Sequence, residues 1–101
     1  MTDIQFEWDE AKNRSNQRKH GVSFEIAREA FRDPLCLSLM DSIVSGEERW
    51  QTFGMIDGVL LLVVVHTTSD DLDQDLSIET IRIISARKVT RSEREIYEED
   101  R

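Results

Sequence analysis

At 101 residues the chain is long enough for a single domain with one modest hydrophobic core, and too short for two cores of ordinary size. Hydrophobic residues make up 39% and charged residues 34%, with four glycines and one proline, which excludes low-complexity and disordered classes. The net charge of −8 argues against indiscriminate attraction to nucleic acid, because a phosphate backbone is bound chiefly by cationic surface.

The charge is unevenly distributed along the chain. Basic residues gather over residues 12–20 and 82–94, and acidic residues over 70–79 and in the C-terminal tail. The longest apolar run has seven residues, against roughly 20 for a transmembrane helix, and the polar N-terminus does not resemble a signal peptide. We therefore expect a cytoplasmic protein without a membrane partner, in which the single cysteine, Cys36, is a buried structural residue.

The first third of the chain predicts a weak strand and two helices. Apolar and polar residues alternate over residues 4–8, and Asp9 then stands as the N-cap of a helix over about 10–19. Gly21 can take the left-handed conformation that ends a helix. Ser23 is placed to cap a second helix, which Asp33 and Pro34 terminate.

The remainder predicts a sheet and a last helix. Period-two patterning and β-branched residues indicate an antiparallel meander of four strands, over residues 35–41, 47–54, 59–67 and 78–85. An acidic loop is expected over 69–77, and a helix capped by Thr90 or Ser92 over 90–99. Helices grouped first and strands afterwards indicate a single α+β domain, residues 1–101, with its helices on one face of the sheet.

Five segments carry a resemblance to a known family: Phe6-Glu7-Trp8-Asp9, Lys19-His20-Gly21-Val22-Ser23-Phe24, Asp33-Pro34, Glu48-Arg49 with Gly54, and Ile81-Arg82-Ile83-Ile84-Ser85-Ala86-Arg87. Together they make residues 6–97 resemble the BrnT toxin family. The resemblance implies a RelE-like fold of two N-terminal helices, a mainly antiparallel sheet of four or five strands, and a C-terminal helix.

The same resemblance implies the toxin of a type II toxin–antitoxin system, a ribonuclease that inhibits translation and needs neither metal nor cofactor. It further implies neutralisation by a BrnA-like antitoxin in an oligomeric complex. The DNA-binding region of that antitoxin would let the complex repress its own operon, so that the toxin meets DNA only indirectly.

Metal-free RNA cleavage has its own chemical requirements. The 2′-hydroxyl attacks the neighbouring phosphate, cationic groups hold the crowded phosphorane, and an acid protonates the 5′-oxygen. Arg49 and Arg87 are the first candidates for phosphate clamps, since a guanidinium donates two parallel hydrogen bonds and stays charged. His20 is the candidate for proton transfer, because imidazole exchanges protons near neutral pH. Each also has a structural alternative, an ion-paired arginine or a histidine that favours a helix C-terminus.

Four further residues are candidates for substrate binding: Lys19, Thr67, Ser85 and Tyr97. Lys19 could bind a phosphate, although lysine in a last helical turn also stabilises the helix dipole. The hydroxyls of Thr67 and Ser85 could face a groove or bond backbone groups. Tyr97, like Trp50 and Phe53, could stack on a base, whereas core packing is expected for Trp50 and Phe53.

The acidic composition departs from the usually basic RelE-like toxins. If the acidic loop over 69–77 lies beside the basic residues, repulsion lowers RNA affinity; if it projects away, a Debye length of about 8 Å screens it. Two other functions stay open, a catalytically inactive module that pairs with an antitoxin and tunes repression, and a free-standing structural or adaptor domain.

Overall fold

The computed structural model describes residues 2–73 and 76–99, which form one five-stranded sheet and three α-helices. The elements in chain order are β1 (Thr2–Glu7), α1 (Glu10–His20), α2 (Phe24–Ala27), a 3-10 helix (Arg28–Arg32), β2 (Leu37–Val44), β3 (Glu47–Ile56), β4 (Leu60–Asp73), β5 (Leu76–Lys88) and α3 (Arg91–Glu99). The sheet order is β1-β5-β4-β3-β2, with β1 parallel to β5 and every other pair antiparallel. The predicted meander of four strands is confirmed, and the weak N-terminal strand adds to its edge as the fifth, parallel strand of the sheet. None of the helices in this described part is long and apolar enough to cross a membrane.

The predicted ends of α1 are confirmed. The Asp9 carboxylate accepts hydrogen bonds from the backbone N–H groups of Ala11 and Lys12, at 2.8 and 3.2 Å. Gly21 has a φ of 70°, and its N–H donates to the Gln17 carbonyl. Both helix ends therefore satisfy backbone groups that would otherwise have no partner.

The predicted second helix is one α-helical turn that continues as a 3-10 helix. The Ser23 hydroxyl caps it by accepting from the Ile26 N–H at 3.1 Å. Phe24, Ala27 and Ala30 are each 0% exposed and recur every third residue. A 3-10 helix sets residues three apart directly in line, so its tighter winding keeps Ala30 above Ala27 on the side of the sheet.

Helices cover both faces of the sheet, so the prediction that they share one face is wrong. Leu62 and Val64 of β4 pack with α2 and the 3-10 helix in a first core. Leu61 and Val63 point the other way and pack with Phe53 and with Tyr97 of α3 in a second core. Because β4 is apolar on both sides, each face has to be covered.

The strand predicted over residues 35–41 begins two residues later and extends to Val44. The Asp33 carboxylate accepts from the Leu35 N–H at 2.9 Å, and the Cys36 N–H donates to the Asp33 carbonyl at 3.0 Å. These bonds hold Leu35 and Cys36 in a turn, which delays the start of β2. The Asp33 carboxylate also accepts from the Met55 N–H at 2.8 Å, which fastens this turn to β3.

The prediction of an acidic loop over 69–77 is wrong for its described residues, since β4 continues to Asp73 and β5 begins at Leu76. Residues 74 and 75 lie outside the described residues. Asp70 pairs with Glu79 and Asp71 with Ile78, although aspartate disfavours strands. β5 pairs here with β1 as well, so backbone bonds on both of its sides outweigh the low propensity of these residues.

A single carboxamide anchors α1 to the sheet. The pairing of β1 with β5 ends where Glu7 meets Arg82, which leaves the next edge of β5 open. There the side chain of Asn16, 6% exposed, donates to the Ala86 carbonyl at 2.8 Å and accepts from the Ala86 N–H at 3.1 Å. It also donates to the Val22 carbonyl. Asn16 thus replaces the missing strand and fixes the basic end of α1 beside β5.

Gly54 provides a test of how the 3-10 helix packs on the sheet. A Cβ at this position would collide with the carbonyl oxygen and side chain of Ala30. We expect Gly54→Ala to lower the free energy of unfolding by about 3 kcal/mol, because a backbone carbonyl cannot rotate away.

Gly46→Ala is the control for the Gly54 variant, since its Cβ meets no atom and its cost is only that of a left-handed backbone, roughly 1–2 kcal/mol. Urea denaturation of both variants measures the difference. Equal losses would show that Gly54 is not needed for this packing.

Candidate nucleic-acid interface

A β-bulge in β5 decides which side chains share a face of the sheet. Val65 pairs with Ser85 and His66 pairs with Ile83, so Ile84 is the extra residue. The sequence pattern predicts Ser85 on the same face as Ile81 and Ile83, and this prediction is wrong. The bulge turns Ser85 to the opposite face, which it shares with Arg82.

Four of the candidate residues lie on this face, although Arg87, opposite Val63, is four residues along the sheet from Thr67, about 13 Å. Thr67 of β4 is 7% exposed and pairs with Arg82 of β5. On its other side, Arg49 of β3 lies one residue beyond Trp50, the partner of His66. Continuing that register places Arg49 alongside Thr67, so two arginines flank one threonine with about 10 Å between their strands. We call this the arginine face, and its members are Arg49, Thr67, Arg82, Ser85 and Arg87.

Arg49 has a donor without a partner. Its Nε is buried and makes no hydrogen bond with any described residue. The side chain also lacks an ion pair within the described ranges, where three salt bridges join other residues. A buried N–H left without an acceptor costs about 1–3 kcal/mol, a cost that a bound anion would remove.

Arg87, in contrast, is held by a carboxylate. Its Nη1 and Nη2 donate to the two oxygens of Glu93 at 2.7 and 2.8 Å, and Nη1 also donates to the Lys88 carbonyl. These bonds raise the pKa of Arg87, and they lower the pKa of Glu93 to about 2. Of the five N–H donors of the guanidinium, two make no hydrogen bond with a described residue, although the charge of Arg87 is already compensated.

Glu93 also starts α3. Its carboxylate accepts from the Thr90 N–H at 2.8 Å, while the Thr90 hydroxyl accepts from the Glu93 N–H at 3.2 Å. This reciprocal capping box confirms Thr90, rather than Ser92, as the cap. One carboxylate therefore orders both the beginning of α3 and the guanidinium of Arg87.

The ion pair between Arg87 and Glu93 predicts a specific pH dependence. The pKa of Glu93 is about 2 in the fold and near 4.5 when unperturbed. The stabilisation of the fold by this ion pair is therefore complete above pH 4.5 and is lost as the pH falls toward 2. We expect Glu93→Gln to cost about 1 kcal/mol at pH 7, a value reduced by solvent screening because the Arg87 side chain is 38% exposed. The difference from the wild type should vanish near pH 2.

Glu98→Gln in the same helix is the matched control, since Glu98 is 54% exposed and 3.9 Å from Arg94. Thermal unfolding from pH 2 to pH 7 measures both variants. A Glu93→Gln deficit that is independent of pH, or equal to that of Glu98→Gln, would contradict the role of the pair.

The basic end of α1 forms a second cationic site beside the arginine face. A depression of about 160 Å³ is lined by Lys12, Ser15, Asn16, Lys19, His20, Ile84 and Ser85. It brings together Lys19, His20 and Ser85, three of the candidates. Lys12 is an addition, and its spacing of seven residues from Lys19 is the helical signal for a shared face. We call this the cationic depression; Ser85 belongs to both sites.

Tyr97 does not join either site. Its ring is 1% exposed in the second core, and its hydroxyl donates to the Asp33 carboxylate. Phe53 is equally buried, as expected, while Trp50 is partly buried on the opposite face. A ring without an exposed face cannot stack on a base, so the geometry favours a packing role for Tyr97.

His66 lies on the face opposite the arginines. Its Nε2 bonds the Thr52 hydroxyl at 2.7 Å, which in turn bonds the hydroxyl of Ser38 at 2.7 Å. Its Nδ1 lies 3.2 Å from the Thr67 carbonyl, and burial lowers its pKa. With both nitrogens engaged, His66 links three strands.

A cleft of about 350 Å³ opens above His66, lined by Ile4, Phe31, Cys36, Ser38, Trp50, His66, Thr68, Glu79 and Ile81. Cys36 is only partly buried here, and desolvation raises the pKa of its thiol. No three His, Cys, Asp or Glu side chains within the described ranges are grouped as metal ligands, at this cleft or elsewhere.

The acidic hairpin, which is the described ends of β4 and β5 with Asp70, Asp71 and Glu79, extends away from the arginines. Asp70 lies on the opposite side of β4, since it is an odd number of residues from Thr67. Asp71 shares the arginine face but is four residues farther along the strand, about 13 Å away. Because this distance exceeds a Debye length of about 8 Å, the Asp71 carboxylate is largely screened from the arginines.

Besides Lys12, the site prediction missed Arg82. It is exposed, and the register sets it directly opposite Thr67. Its alternation with Ile81 and Ile83 is a usable signal, because a charged residue between two buried ones has to face out of that core.

Comparison with known proteins gives a family and a fold. The family model described as "Ribonuclease toxin, BrnT, of type II toxin-antitoxin system" matches residues 8–93. The crystal structure of the Brucella abortus ribonuclease toxin BrnT is similar with a TM-score of 0.54 and 22% identity, over 90% of this chain and 99% of that one. A likeness at this identity concerns the fold alone. No curated protein matches the chain.

Proposed function

The chain belongs to the BrnT family of ribonuclease toxins of type II toxin–antitoxin systems, and we propose that it cleaves RNA without a metal ion, with the scissile phosphate held on the arginine face. The observation that carries this proposal is the buried Nε of Arg49, which has no acceptor within the described residues. A phosphate oxygen supplies the acceptor and the negative charge together.

The phosphate is proposed to lie above Thr67, between Arg49 and Arg82. Their strands are about 10 Å apart, which suits two long side chains that close on one anion from both sides. Guanidinium groups can supply the charge compensation for a phosphorane that a metal ion supplies in other nucleases. The buried Thr67 side chain gives the anion a floor from which water is largely excluded.

The proposed reaction is an internal transfer. The 2′-oxygen forms a bond to phosphorus, the bond from phosphorus to the 5′-oxygen breaks, and the products are a 2′,3′-cyclic phosphate and a free 5′-hydroxyl. One proton leaves the 2′-hydroxyl and one reaches the 5′-oxygen. His20, exposed in the cationic depression, is our candidate for one of these transfers.

The cationic depression is proposed to bind a flanking phosphate of the same strand. Lys12 and Lys19 lie on one side of α1, and Ser85 connects them to the arginine face. Arg87 contributes less charge because Glu93 neutralises it, so we propose that its two free N–H donors orient the phosphate rather than attract it.

The proposed partner is a BrnA-like antitoxin, through which the complex would meet operator DNA. The family implies an antitoxin and an RNA substrate in general terms. We place the activity in the cytoplasm, where both would be met, and the RelE-like relationship stays a prediction of the resemblance.

Arg49→Ala tests the site directly. We expect single-turnover cleavage of an RNA oligonucleotide to slow by about 100-fold or more, the typical loss when one charge-stabilising donor is removed. Arg49→Lys should recover only part of this loss, because lysine cannot donate two parallel hydrogen bonds. Arg32→Ala is the matched control, since Arg32 is 83% exposed in the 3-10 helix, and it should stay within two-fold of the wild type.

The same assay with EDTA tests metal independence. Undiminished cleavage with a 2′,3′-cyclic phosphate product supports the proposed chemistry, whereas activity lost in EDTA and restored by Mg²⁺ contradicts it. A folded wild type that binds antitoxin but leaves RNA intact would instead identify an inactive module that tunes repression.

A further inference from the structure

The edge strand β2 has an unusual surface for the border of a sheet. Its residues are exposed from Ser38 onward, and four large apolar side chains lie among them. The exposed fractions are 41% for Leu39, 54% for Met40, 62% for Ile43 and 40% for Val44. Apolar side chains on both faces of an edge strand distinguish it from a strand that simply covers a core.

The outer backbone of β2 is also unprotected. Within the described chain, β2 pairs with β3 alone, so one row of its N–H and C=O groups has no neighbouring strand. Proteins usually protect such an edge with lysine, proline or a covering loop. The features of β2 that discourage pairing with another strand are Asp41 and the bulge at this residue, where the register shifts between Met40 and Ser42.

We propose that β2 is a docking strand for an extended, basic segment of the antitoxin, which adds a sixth strand to the sheet. The proposal rests on the function proposed above, because it needs a partner protein. Backbone hydrogen bonds to the open edge supply affinity, and alternate apolar side chains of the partner pack on Met40 and Ile43.

The charge around this edge determines the chemistry of the partner. Arg49 is the single lysine or arginine from Asp33 to Ile81, against ten aspartates and glutamates. Asp41, Glu47 and Glu48 are exposed on β2 and at the adjoining start of β3. A segment rich in lysine and arginine complements this edge.

A second copy of the chain fits the edge poorly. Each copy carries a net charge of −8, and an antiparallel pair of β2 strands would bring two Asp41 carboxylates together near its centre. Like charges directly opposite each other destabilise strand pairing.

Docking on β2 would also explain neutralisation. Ser42 pairs with Arg49, so the partner strand would lie two strand spacings, about 10 Å, from the backbone of Arg49. A strand at that distance would obstruct the approach of RNA to Arg49 by its bulk. The antitoxin need not cover the cationic depression to block the phosphate site.

The test measures binding of the full-length antitoxin, produced from the gene beside that of the toxin, to the full-length chain by calorimetry. Ile43→Lys places a cation against the basic segment and should weaken binding ten-fold or more. Val59→Lys is the matched control, since Val59 is an 82% exposed apolar residue in the turn before β4, and it should stay within two-fold.

Hydrogen exchange of the complex gives a readout that side-chain contact alone does not change. The outward amides of β2 should exchange at least ten-fold more slowly once the antitoxin binds. Binding that leaves these amides unprotected, or that Ile43→Lys does not weaken, overturns the docking strand while the toxin–antitoxin pairing stands. Absence of any binding overturns both, and slow exchange caused by concentration of the toxin alone would assign the edge to a second copy.

Discussion

The central strand β4 is apolar on both sides, so neither face of the sheet can be left in water. One face is covered by α2 and the 3-10 helix, whose Ala30 lies so close to β3 that residue 54 has to be glycine. The other face is covered by α3 where Tyr97 packs on Phe53, Leu61 and Val63. The uncovered remainder of this second face is the surface on which Arg49, Thr67 and Arg82 meet.

Most of the fold can be predicted from local chemistry. Asp9, Gly21 and Ser23 mark helix ends because their side chains or backbone satisfy groups within a few residues. The acidic hairpin could not be predicted, since its pairing depends on β1, which is some 75 residues away along the chain. The face on which α3 packs was also not predicted. The seven consecutive apolar residues before His66 do indicate a strand that is buried on both faces, and hence a sheet that needs cover on each side.

The residue types of the candidate site could be predicted from the sequence, but their arrangement in space could not. Lys19 and His20 follow from a basic helix end, and their neighbour Ser85 from a strand motif. Their proximity depends on the carboxamide of Asn16, which bonds α1 to β5. The bulge at Ile84 moves Ser85 to the arginine face, and no signal of it is visible in one sequence. An acidic chain can thus keep a basic surface, because register separates charges that composition adds together.

Glu93 affects the arginine face without belonging to it. A selection for chains that no longer arrest growth would return substitutions at Glu93 together with those at Arg49, although Glu93 is not proposed to hold phosphate. The reason is that the Glu93 carboxylate both caps α3 and orients Arg87. A substitution at Glu93 therefore disturbs the last helix and the Arg87 guanidinium together. A genetic map of inactivating changes would therefore extend into α3 and enlarge the apparent site beyond the residues proposed to contact RNA.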